Sequence, residues 1–119
     1  MVAPAEPRRV LLVEDEPTIA VTLRDELSEQ GYEVVCVGDG RVAVELLREQ
    51  AFATVITDLR LPGASGVEVA AAARQASAAA RVLLITAFVA PGVVCAADAV
   101  LKKPFANASV LAWLAQRVA

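Results

Sequence analysis

Five short apolar runs, each stopping abruptly at a polar or charged residue, alternate along this chain with stretches whose apolar residues recur at helical spacing. Arg8 to Val13 halts at Glu14-Asp15-Glu16-Pro17, Glu33 to Val37 at Gly38-Asp39-Gly40, and Ala53 to Thr57 at Asp58. Arg81 to Thr86 and Ala99 to Leu101 complete the set, the last running into Lys103-Pro104. Runs of this length, bounded by charge or by turn residues, suit buried strands. Between them, Pro17 fits the first turn of a helix, where its missing N–H costs nothing. Ile19, Leu23 and Leu27 then form the inward stripe of a helix from about 17 to 30, stopped by Gly31. Val42, Ala43, Leu46 and Leu47 mark a second helix closing near Gln50, and Gly66 opens an alanine-rich third to about Ala78. A final helix from about Ala106 turns Val110, Leu111, Leu114 and Val118 inward. Strands alternating with helices at this spacing form right-handed βαβ units, so the expected class is α/β, a parallel sheet covered on both faces.

The length of 119 residues fits one domain able to bury a core without staples. Residues 1–7 are expected to be a loose tail and 8–119 the domain. Met1 to Arg9 carries two prolines and lacks a signal peptide's apolar core. Val82 to Ala90, the longest apolar stretch, is far short of the roughly 20 residues that span a bilayer. No membrane segment and a cytoplasmic location are therefore expected. A net charge of -3 without a basic cluster argues against direct nucleic-acid binding, which rests on neutralising phosphates. Cys36 and Cys95 have neither CxxC spacing nor any histidine to complete a zinc site, so both are expected to be reduced, buried small hydrophobes. Trp113 lies beside the inward stripe of the last helix, where core packing is the favoured role over a partner contact.

In an open parallel sheet, ligands bind beyond the carboxyl ends of the strands, where strand order reverses. Glu14 and Asp15, Asp58, Thr86 and Lys103 end four different strands and converge on that rim. Each alone has an ordinary explanation. Acidic residues favour the positive end of a helix dipole. An aspartate before Pro-Gly forms turns, a threonine suits a strand, and Lys102 and Lys103 could be an exposed pair. It is their meeting at one rim that points to a phosphate-handling or metal-handling site.

The segments VLLVEDEP, DLRLPGASG, LLITA and LKKPF, in this order, resemble the four signature motifs of the response-regulator receiver family, and the resemblance covers Arg8 to about Val118. It implies a flavodoxin-like, doubly wound, five-stranded parallel sheet of order 2-1-3-4-5. It further implies that Asp58 accepts a phosphoryl group from a histidine kinase or phosphotransfer protein. Glu14, Asp15, Asp58 and the Arg60 carbonyl would hold Mg²⁺, while Thr86 and Lys103 contact the phosphoryl oxygens. The Lys103–Pro104 bond in such a turn is expected to be cis. Glu14 stands where the family more often has aspartate, so its longer side chain is expected to reach the metal through water. Output would pass to a downstream protein or effector domain, with a homodimer as an option.

The chemistry asks for these residue types. Carboxylates about 4 Å apart repel by roughly 4 kcal/mol per pair at an effective dielectric near 20, which a lysine and a divalent cation can offset. Phosphoryl transfer needs in-line positioning and neutralised equatorial oxygens, and the phosphorylated state then biases a second conformation. The resemblance thus implies a phosphoacceptor that assists its own modification, rather than an enzyme. A haloacid-dehalogenase phosphatase would want a DxD motif after the first strand, and a flavodoxin a Ser/Thr/Gly-rich loop; this chain has EDEPT.

Three departures stand out. The stretch from Thr86 to Lys103 is about five residues shorter than the family usual, roughly one and a half helical turns, and Ala90-Pro91-Gly92 opposes a regular helix there. The family's fourth helix, between strands four and five, should be short, displaced or absent. Val100 occupies the position where many relatives carry a switching aromatic, and Phe88, which with Arg60 would flank the site, resembles a feature of the subset lacking that helix. The second reading is accordingly a constitutive interaction module that keeps the fold without the switch.

Overall fold

The computed structural model describes residues 6–87 and 97–116. Nine elements follow in the order β1 (Arg9–Val13), α1 (Pro17–Glu29), β2 (Glu33–Val37), α2 (Gly40–Glu49), β3 (Thr54–Asp58), α3 (Gly66–Ala76), β4 (Arg81–Thr86), β5 (Ala99–Lys102) and α4 (Asn107–Ala115). All strand pairs are parallel and the sheet order is β2-β1-β3-β4-β5. The expected doubly wound architecture is therefore the observed one. The expectations about the family's fourth helix, Phe88, Cys95 and Val118 fall outside the described residues.

Alternation along the central strands builds two layers, because successive strand side chains point to opposite faces. Leu11, Val13, Val55 and Val82 pack with Ala43, Leu47, Val69, Ala70 and Ala73 of α2 and α3. Val10, Leu12, Ile56, Leu83 and Ile85 pack instead with Leu23 and Leu27 of α1 and with Val110 and Leu114 of α4. Being buried on both faces, β1 and β4 read as near-continuous apolar runs rather than alternating ones.

Some details differ from the sequence expectation. Val42 is exposed, and the inward stripe of α2 runs through Gly40, Ala43 and Leu47. On α1, Ala20 takes a buried position with Leu23 and Leu27, and Ile19 is only half-buried. Trp113 is half-buried against the α1/α4 layer, with the Arg81 guanidinium 4.1 Å above its ring. Cys36 is half-buried, and its burial pushes the thiol up. Among the described residues, no helix is long and apolar enough to cross a membrane.

α3 begins directly against the end of β3. Ser65 caps it with a reciprocal box, its hydroxyl accepting from the Glu68 N–H while the Glu68 carboxylate accepts from the Ser65 N–H. The Gly66 N–H donates to Leu59 O at 2.8 Å. A Cβ on Gly66 would stand 2.3 Å from Asp58 O and 2.9 Å from Leu59 Cα, so only glycine lets the helix approach so closely. Gly66→Ala should therefore cost about 1–3 kcal/mol of stability through overpacking. Chemical denaturation checks this, and an unchanged midpoint would contradict the close-approach argument.

Candidate functional site

The carboxyl ends of β1, β3, β4 and β5 meet at one rim. The Glu14 N–H donates to Val37 O at 3.0 Å, prolonging the ladder beyond β1 and turning its side chain inward, where it has no exposure. Its Oε2 accepts from the Glu16 N–H at 3.1 Å, just before Pro17 opens α1. Asp15 next to it is exposed. Asp58 is the last residue of β3 and is buried; its Oδ1 accepts from the Arg60 N–H at 3.3 Å. Thr86, also buried, ends β4, and its carbonyl accepts from the Lys103 N–H at 2.8 Å, which fixes the chain just beyond β5. The Lys103–Pro104 bond is cis, as expected.

Lys103 joins the two inner carboxylates. Its Nζ donates to Asp58 Oδ2 at 2.7 Å and lies 2.7 Å from Glu14 Oε1. Burial alone would lower the ammonium's pKa, but the bond to Asp58 and the contact with Glu14 outweigh it and hold the group above its usual range. Burial likewise raises the Glu14 carboxyl, opposed by Lys103 and the Glu16 N–H and reinforced by the charge on Asp58. The site thus has more negative charge than its one lysine balances.

That surplus is suited to a cation. Ligand oxygens of Glu14, Asp15 and Asp58 lie within 4.8 Å of one another, two of them on buried residues and one on an exposed one. Glu14 Oε1 is buried, and apart from its ionic contact with Lys103 it finds no hydrogen bond among the described residues. Three carboxylates opening to solvent on one side match a hard divalent ion that retains waters. The expected residues Glu14, Asp15, Asp58, Thr86 and Lys103 all occupy this rim. The Arg60 side chain is exposed, while its backbone bonds Asp58. Sequence reasoning missed the direct Glu14–Lys103 pairing. The longer side chain at position 14 was the available signal.

The family model for the response regulator receiver domain matches residues 10–115. The chain belongs to this family. It is 39% identical over 102 residues to the transcriptional regulatory protein TcrA of Mycobacterium tuberculosis, covering 82% of this chain and 40% of that protein. It is 37% identical over 113 residues to the transcriptional regulatory protein PdtaR of the same species, covering 90% of this receiver and 55% of that relative. The receiver thus spans roughly half the length of the curated relatives it matches. Among solved structures, the response regulator TrrA of Thermotoga maritima in complex with Mg²⁺-BeF superposes with a TM-score of 0.80 at 33% identity, covering 90% of this chain and 96% of that one.

The raised carboxyl of Glu14 sets a pH dependence. A group whose folded pKa lies above its unfolded value favours the folded state while protonated and loses that contribution as pH rises through the folded pKa. Without divalent ions, Glu14→Gln should therefore gain stability relative to the parent as pH rises from below 4.5 toward neutrality. Thermal melts of both proteins across that range test this, and a difference independent of pH would contradict it.

Proposed function

We propose that this receiver accepts a phosphoryl group on Asp58 from a histidine kinase or phosphotransfer protein, in a Mg²⁺-dependent reaction, and signals through the conformational change that follows. The observation that carries this reading is the Lys103 ammonium held 2.7 Å from both Asp58 and Glu14 beside exposed Asp15. Mg²⁺, held by Glu14, Asp15, Asp58 and the Arg60 carbonyl, would supply the positive charge that lets a dianionic phosphoryl group approach an ionised carboxylate. The relative crystallised with Mg²⁺ and BeF supports this assignment by likeness.

In the transfer, an Asp58 carboxylate oxygen forms the new P–O bond as the donor's P–N bond breaks, and the donor imidazole leaves with that electron pair. Lys103 then shifts from the carboxylate to a phosphoryl oxygen, and the Thr86 hydroxyl turns to meet another. The loose transition state spreads charge over these oxygens, so fixed donors at the ends of β4 and β5 stabilise it without reorganisation. Drawing Thr86 toward the new group biases the receiver toward a second conformation. The protein is thus a phosphoacceptor that assists its own modification, acting in the cytoplasm on a protein partner or effector domain. A second reading, a constitutive interaction module, is favoured by the shortened stretch from Thr86 to Lys103 and by Val100 in place of the switching aromatic.

Incubation with Mg²⁺ and acetyl phosphate should add one phosphoryl group by intact mass. Asp58→Asn should abolish uptake, and Lys103→Met should slow it by about 10²-fold or more, the typical effect of removing one oxyanion donor. Absence of uptake by folded parent protein, from acetyl phosphate and from a phosphorylated kinase alike, would leave the interaction module as the reading.

A further inference from the structure

The chain has only two lysines, and they are neighbours, Lys102 and Lys103; every other cationic side chain is an arginine. Lys103 lies between the two carboxylates, whereas Lys102 is exposed and registers opposite Thr86. In the β geometry a slip of one residue moves a side chain by about 3.3 Å and to the other face. Slippage of β5 would thus exchange one amine for the other, and the register of this strand decides which of them enters the site.

The side chains of β5 specify that register weakly. The strand has four residues, Ala99–Lys102, is bonded to β4 alone at the sheet edge, and none of its side chains is fully buried. Leu101 is its one large apolar anchor. What fixes the N-terminal end is Asp98. Its N–H donates to Val82 O at 2.9 Å, and its Oδ2 accepts from the Val82 N–H at 2.7 Å, so one residue engages both backbone groups of Val82. The same Oδ2 accepts from Arg74 Nη2 at 3.1 Å, tying the clasp to the end of α3. The Arg74 and Asp98 side chains are each about 40% exposed, so the bond to the Val82 amide is the stronger part.

We infer that Asp98 is a positioning residue: from the far end of β5 it locks the strand's register and thereby selects Lys103 over Lys102 as the amine of the acidic site. The consequence for phosphorylation rests on the function proposed above; the selection itself does not.

Limiting labelling with an amine-acylating reagent, without divalent ions, and read by peptide mass, separates the two. In the parent, exposed Lys102 should label at least about tenfold faster than Lys103, whose side chain is mostly buried and whose amine is enclosed at 2.7 Å by two carboxylates. Asp98→Ala, melting well above the assay temperature, should bring the two rates within about threefold, whereas Asp98→Asn, which keeps the acceptor, should restore the parent ratio. A parent ratio retained in folded Asp98→Ala overturns the inference, as does parity in Asp98→Asn. Should Asp98→Ala not fold, Asp98→Ser is expected to give an intermediate ratio, and a parent ratio there overturns the inference equally. Phosphoryl uptake provides the second arm: a parent that fails to react with acetyl phosphate and with a phosphorylated kinase alike refutes the proposed function and leaves the labelling result standing.

Discussion

Everything at the rim is organised around a charge imbalance. Glu14 and Asp58 point inward from the ends of β1 and β3, and one ammonium lies 2.7 Å from each. Carboxylates at such spacing repel by several kcal/mol even at an effective dielectric near 20. Lys103 lowers that cost, and Asp15 beside them restores the surplus at the solvent side. The arrangement is suited to a divalent ion.

The sheet makes the imbalance sustainable. β1, β3 and β4 are buried on both faces, so their ends are held by a packed core and not by local turns. Around this rigid centre the backbone closes tightly. Gly66 lets α3 rest on the Asp58 carbonyl, and the Lys103 N–H is bonded to the carbonyl of Thr86. The groups that would meet a phosphoryl group are thereby fixed relative to one another to within a hydrogen-bond length. Pre-organisation of this kind is what phosphoryl transfer asks of a protein.

Most of this was legible in the sequence, for physical reasons that can be named. A strand buried on both faces leaves a long apolar run, and a strand end at a site leaves an abrupt change to charge, so Val13 to Glu14 and Thr57 to Asp58 marked both the fold and the rim. Helix faces were less legible where alanine and valine dominate. Val42 has the right chemistry for a core position yet is exposed, because Ala43 and Gly40 allow α2 to pack through its small side. Pairings between side chains distant in sequence left no periodic signal. The Glu14–Lys103 contact depends on a side-chain length, and the clasp of Asp98 on Val82 depends on a β-strand's starting point; neither follows from pattern.

The central and peripheral parts of this receiver are therefore held by different means. Asp58 and Thr86 are placed by core strands, where a displaced register would expose a buried face and cost far more than thermal energy. Lys103 is placed by an edge strand with little burial, so its position rests on hydrogen bonds at the strand's two ends. If Asp58 carries a phosphoryl group as proposed, the lysine must trade one of its two carboxylate partners for a phosphoryl oxygen. An amine carried just beyond a short edge strand with no buried side chain can make that exchange with little disturbance to the core, while the ladder end at Thr86 feels it directly through the Lys103 N–H. The short edge strand β5 is thus well placed to transmit the change.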